Sequence, residues 1–300
     1  MKCLFIINPV SGSGRYQKAM GQFFGKLIVH TDVNTIDQFF TKGKDDAFNK
    51  AKSLKPGEYD FVVSVGGDGT LNECISGLYE GQSGIPLAVL PSGTTNDFAN
   101  CLELPDTPSA FARMIKDFNV QPVDVGKVDD HYFANVLSGG MFSDIAFQVP
   151  REDKDKLGPM AYYLTALKNL PSQLAINMHL DIKADGQSIE EDASLFMITN
   201  SSRVGGFDGI APLASVQDGK LDLFIIKKCN VAELLAILSD YGLFNKHTSN
   251  AKVDYLQASH FEINCNQDIV YDIDGEMGKG FPIEVQCIHH AVNLLTRKKK

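Results

Sequence analysis

The residues best suited to chemistry lie in one short stretch, Gly66-Gly67-Asp68-Gly69-Thr70-Leu71-Asn72-Glu73. It follows the apolar run Phe61 to Val65, which reads as a buried strand. Three glycines let a backbone approach a polyanion closely, and a helix beginning there aims free N–H groups at it. Asp68 would repel a phosphate unless a cation lay between them, and Mg²⁺ is the natural mediator. The alternative is an ordinary glycine-rich strand-to-helix turn. Thr70 and Glu73 have capping-box spacing, which predicts a helix start.

Two companions share the strand–turn–helix pattern. Lys2 to Ile7 is a strand, then Asn8-Pro9-Val10-Ser11-Gly12 turns into a helix from about Tyr16 to Lys26. Ile85 to Leu90 is a strand ending in Pro91-Ser92-Gly93-Thr94-Thr95-Asn96-Asp97, where Asp97 is a second carboxylate. Thr41, after the strand Val33 to Phe40, either caps the next helix or touches a nucleotide. Asp124 is a third acid for the metal region, or a structural strand residue. Three such turns at successive strand ends describe an open α/β sheet with its ligand at the carboxyl edge.

Beyond Val128 the pattern turns mainly to strands, among them Ala193 to Asn200, Lys220 to Lys227 and Ala258 to Cys265. Two helices are expected, Leu157 to Leu170 and Val231 to Tyr241. This half is predicted to be an antiparallel sandwich or curled barrel. The expected domains are 1–127, α/β, and 128–300, β-rich, sharing a cleft. Asp272, Asp274 and Glu276 gather three carboxylates around Gly275, either a catalytic group or a solvated hairpin turn. Asp218-Gly219 poses the same choice, and the loop Ser201 to Phe207 reads as interface or phosphate contact.

Composition narrows the classes. A net charge of −9 argues against nucleic acid as a partner and against a simple grip on anionic membrane. Six cysteines without C-x-x-C spacing fit reduced, buried thiols in the cytoplasm. His289-His290, as adjacent strand residues, are expected to face opposite ways and be structural. No stretch nears the roughly 18 apolar residues of a membrane span, so a soluble protein is expected that meets any lipid at the membrane's inner face. The basic run Arg297 to Lys300 is either a frayed tail or a lipid contact.

Taken together, Asn8-Pro9-Val10-Ser11-Gly12, Gly66-Gly67-Asp68-Gly69-Thr70, Pro91-Ser92-Gly93-Thr94-Thr95-Asn96-Asp97, Asp124-Val125-Gly126, Gly205-Gly206 and Asp274-Gly275-Glu276 resemble the diacylglycerol kinase catalytic-domain family. The resemblance spans nearly the whole chain and is to soluble bacterial lipid kinases, relatives of sphingosine and ceramide kinases. It implies a phosphofructokinase-like nucleotide domain, a β-sandwich, and ATP with Mg²⁺ as cofactors. ATP would contact Asn8 to Gly12, Thr41, Gly66 to Asn72, Thr94 and Asn96. Asp68, Asp97 and Asp124 would order the catalytic Mg²⁺, partly through water. The base would come from the Asp-Gly-Glu turn; the reach of Glu276 favours it over Asp274. A structural Mg²⁺ would match Asp218 with the carbonyls of Ser215 and Lys220. The partner is a lipid acceptor such as diacylglycerol, and a homodimer is compatible. The competing expectations are an NAD kinase and a non-catalytic lipid-binding regulator.

Overall fold

The computed structural model describes residues 1–12, 15–141, 143, 176–237, 239–240 and 250–298. The expected helix Leu157 to Leu170 lies outside them. The chain forms two compact units, residues 1–123 with 290–300, and residues 124–289.

In the first unit the order is β1 (Lys2–Ile7), α1 (Arg15–His30), β2 (Thr35–Phe40), α2 (Asp46–Lys52), β3 (Phe61–Gly66), α3 (Asp68–Gly81), β4 (Leu87–Pro91), α4 (Asp97–Cys101) and α5 (Pro108–Asp117). The strands lie in the order β4-β3-β1-β2, all parallel. Every residue of β3 and β4 is buried. That is why these strands read as unbroken apolar runs rather than alternating ones: a parallel sheet carries helices on both faces. Parallel order also places the ends of β1, β3 and β4 side by side, so their following turns gather at one edge. Pro108 opens α5, where its missing N–H costs nothing.

The chain leaves through β5 (Asn119–Val128). The second unit then adds β6 (His131–Phe133), β7 (Val136–Gly140), β8 (Met178–Ala184), β9 (Gln187–Thr199), β10 (Arg203–Val204), β11 (Phe207–Asp208), β12 (Leu221–Lys227), α6 (Val231–Ile237), β13 (Val253–Ala258), β14 (His260–Cys265), β15 (Val270–Ile273), β16 (Glu276–Lys279) and β17 (Ile283–Thr296). Neighbouring strands pair antiparallel, β16-β15-β7-β9-β8-β14-β17, with β12 and β13 branching from β9. The burial of β8 alternates along its length, as one core-facing surface requires. One core cluster collects Leu137, Phe196, Ile198, Leu223, Phe261 and Ile273. A second, from the other side of the same strands, holds Met141, Leu195, Met197 and Phe224 with Leu234 and Ile237 of α6.

The two compact units meet in the chain at 123/124. The last eleven residues return to the first unit, because β17 is 14 residues long and its Leu294 pairs in parallel with Leu87 of β4. The alternation expected through His289-His290 fails: His290 has φ 53°, and a left-handed residue interrupts a strand's two-residue period. All six cysteines are free.

Candidate functional site

In the first unit three turns close on one another. The amide of Asn8 donates to Val65 O at 2.9 Å, and that of Ser92 to Gly66 O at 2.8 Å. Side chains repeat the link: Asn8 Nδ2 donates to Thr70 Oγ1 at 3.0 Å, and the hydroxyls of Ser11 and Ser92 lie 2.7 Å apart. Glycine is needed where these backbones touch. A Cβ on Gly12, which has φ 60°, would overlap Ser92 O, and one on Gly93 would lie 2.5 Å from Gly67 Cα. So Gly67 and Gly93 are glycines first because they pack on each other. The exposed rim holds Pro9, Val10, Gly69 and Thr94. Leu71 is turned into the core at 2% exposure, leaving only its main chain to meet a ligand. Thr41 is buried, and its amide donates to Ile7 O at 2.9 Å.

Helix α3 begins at Asp68, with Gly67 as its N-cap. Thr70 lies within the first turn rather than capping it, and Glu73 does not close a capping box. Its carboxylate instead accepts the amides of Asp45, Ala47 and Phe48, serving the start of α2. Nor does Thr41 cap that helix; Asp46 Oδ2 accepts the amides of Lys42 and Gly43. The Asn96 side chain folds onto Gly93, taking its N–H at 2.8 Å and giving Nδ2 to its carbonyl at 3.0 Å.

Asp68 is the chemical centre of this edge. Its Oδ2 accepts the Thr95 hydroxyl at 3.1 Å, while its buried Oδ1 has no hydrogen-bond partner. Burial pushes its pKa up, against the pull of Thr95 and of the amides of Asn96 and Phe98. A buried carboxylate oxygen without a partner is costly, and a divalent cation would complete it, so the donor set fits magnesium. Asp97 is buried at the start of α4, directly after Asn96. Ser92 and Thr95 escaped the sequence reading. Their signal was present, hydroxyls on either side of Gly93 in the same turn. Two cavities of this unit, ≈ 240 Å³ at the end of α3 and ≈ 550 Å³ along α1, are lined by none of these turn residues.

In the second unit Asp124 is wholly buried and heavily engaged. Its Oδ1 meets His289 Nδ1 at 2.9 Å, and its Oδ2 accepts the Gly219 amide at 2.7 Å. Asp218 is exposed and accepts the Lys220 amide at 3.1 Å, closing a local turn. No cluster of metal-ligating side chains among the described residues includes it. Arg203 pairs with Asp208 at 2.6 Å across the β10–β11 hairpin.

The Asp274-Gly275 pair is a two-residue hairpin turn between β15 and β16. Both residues have φ > 0, 49° and 90°, the requirement of a type I′ turn. Asp274 is structurally committed: its carboxylate accepts the amides of Ala134 at 2.6 Å, Asn135 at 3.1 Å and Val136 at 2.8 Å. These amides tie the hairpin turn to the chain between β6 and β7. Glu276 is half-buried at the start of β16. Asp272, the third carboxylate of this hairpin, is 8% exposed.

Comparison with known proteins agrees with this arrangement. Residues 2–128 match the family model of the diacylglycerol kinase catalytic domain. Residues 139–296 match that of the YegS C-terminal NAD kinase beta sandwich-like domain. The chain is 33% identical to a diacylglycerol kinase of Bacillus subtilis (strain 168), over 98% of this chain and 96% of that one. It is 30% identical to a diacylglycerol kinase of Staphylococcus epidermidis, over 98% and 91%. A solved structure of a candidate diacylglycerol kinase from Bacillus anthracis str. Sterne superposes with TM-score 0.85 at 27% identity, covering 99% of this chain and 97% of that one. With the glycine turns and Asp68 inside the first matched span and nearly full-length identity to these enzymes, the chain belongs to the diacylglycerol kinase family and is itself a kinase.

Proposed function

We propose that this kinase transfers the γ-phosphoryl group of ATP, with Mg²⁺, to a hydroxyl of a lipid such as diacylglycerol. The observation that carries the reading is Asp68: a carboxylate with one buried, unpartnered oxygen at the first residue of a 14-residue helix, among three touching glycine turns. Turn amides and the N-terminus of α3 receive the phosphates. Asp68 and Asp97 would hold the cation, which when bound would offset the charge that develops on the transferring phosphoryl group. Asp124, whose oxygens each already accept a hydrogen bond, orders water rather than ligating. Glu276 takes the proton of the acceptor hydroxyl, and Asp274 holds the turn that presents it. The lipid acceptor follows the names of the relatives. A lipid acceptor is met at the membrane surface; among the described residues no helix is long and apolar enough to cross a bilayer.

The test is turnover of Mg·ATP with diacylglycerol, phosphatidylglycerol, sphingosine and NAD as acceptors. A lipid alcohol should be phosphorylated and NAD should not. Asp68→Asn should lower kcat by about a hundredfold or more with the thermal midpoint kept. Glu276→Gln should lower kcat similarly and leave the KM for ATP unchanged. Near-normal turnover in both variants would overturn the assignment.

A further inference from the structure

Among the described residues, the buried side-chain oxygens without a hydrogen-bond partner include Asp68 Oδ1, Thr199 Oγ1, Asp222 Oδ2 and Asp272 Oδ1. The first belongs to the phosphate site. Thr199 and Asp222 are directly opposed on β9 and β12, close enough for one water to serve both. Asp272 has no such neighbour in need. Among the described residues its carboxylate takes one hydrogen bond, from the Gly275 amide to Oδ2 at 3.2 Å, and none of their charged side chains contributes to its raised pKa.

Its position gives that oxygen a use. Asp272 lies on β15, two residues before Asp274. Directly opposite it are Ser138 on β7 and Met277 on β16, and Ser138 in turn faces Met197 on β9. Residues opposed in register share a face, so Met277, Asp272, Ser138 and Met197 form one row. Met197 belongs to the apolar cluster with Met141, Leu195 and Phe224. Two polar groups are thus flanked by flexible apolar side chains, and Met277 is half exposed, a mobile cover that can yield to a ligand. The row has the polarity of an amphiphile: a hydroxyl-bearing head against Asp272 and Ser138, and hydrocarbon against the methionines.

We propose that Asp272, with Ser138, is the acceptor-specificity subsite of this kinase, receiving the hydrogen-bond donors of a neutral or cationic lipid alcohol and rejecting anionic head groups. This rests on the lipid-kinase reading above. A carboxylate with a spare acceptor and no cation beside it among the described residues gains from a hydroxyl or ammonium, whereas an anion placed there must be protonated or endure like-charge repulsion. Asp272 is a positioning residue; the proton of the reacting hydroxyl goes to Glu276.

The experiment measures transfer by the full chain to dioleoylglycerol, sphingosine and dioleoylphosphatidylglycerol, each carried in phosphatidylcholine micelles at about pH 8, where the subsite carries its charge. Wild type should favour the first two by at least about tenfold in kcat/KM. Asp272→Asn keeps the shape and one acceptor, and should compress that preference. Asp272→Leu should raise the lipid KM about tenfold while the KM for ATP stays the same. If the Leu variant fails to fold, the Asn variant with Ser138→Ala carries the test. Lipid transfer with wild-type ranking and lipid KM in these variants overturns the role of Asp272 alone. A wild-type protein that phosphorylates no lipid overturns the kinase reading on which it rests.

Discussion

Asp272 has a measurable cost. Burial raises its pKa from 3.8 to about 7. Below about pH 4 both folded and unfolded chains hold its proton, and the group is neutral in the balance. As pH rises towards 7 the unfolded chain gives up a proton that the folded one keeps, so stability falls across that window and then levels. Three pKa units set a ceiling of about 4 kcal/mol. Asp272→Asn should therefore raise the unfolding midpoint at pH 8 and leave it nearly unchanged at pH 4. An equal shift at both would mean that packing, not charge, is responsible. A residue that destabilises its own fold is retained for function more readily than for structure. Its neighbour Asp274 shows the opposite balance, an acid whose three amide bonds make it part of the scaffold. Residue types and the glycine between them marked this hairpin as chemical. Spacing could not divide the roles, because which carboxylate meets the 134–136 amides depends on strand pairing distant in sequence.

At the scale of elements, the strand–turn–helix units were legible and their internal joints were not. Apolar runs located β1, β3 and β4 within a residue or two, since parallel strands buried on both faces leave an unbroken hydrophobic signal. The capping-box spacing of Thr70 and Glu73 misled, because that acid is claimed by another helix. Glu73→Ala should strip three amides at the start of α2 and cost about 1–2 kcal/mol of stability, with kcat intact; a urea titration beside an activity assay separates the two. Gly93 makes the companion case. Gly93→Val sets a branched side chain against Gly67 Cα, so it should weaken ATP binding at least about tenfold and also destabilise the fold by about 1–3 kcal/mol. Calorimetric titration with ATP and thermal unfolding read the two effects. Lost affinity at full stability would place the crowding on the nucleotide rather than on the neighbouring turn.

For the molecule as a whole, composition and pattern separated an α/β half from a β half, but only the fold shows that the first unit is assembled from two distant pieces of chain. Sequence pattern follows the chain from neighbour to neighbour. The parallel pairing of Leu294 with Leu87 joins residues too far apart for periodicity to register. Leu294 and Leu295 are fully buried, so removing residues 290–300 should unfold the first unit and abolish ATP binding, whereas removing only residues 297–300, of which Arg297 and Lys298 are exposed, should leave both intact. Proteolysis and nucleotide binding on the two truncations give the answer.

That returning strand also sets the order in which the molecule comes into being. A ribosome reads residues 1–123 first, yet the nucleotide unit stays short of a buried edge strand until Leu294 and Leu295 have left the exit tunnel. Residues 124–289 are contiguous and can close on themselves earlier. The half that is translated later is therefore the half able to finish folding first. The glycine-turn unit awaits the last part of β17, so a chain cut before residue 290 holds every residue of the β-rich unit and lacks part of the other.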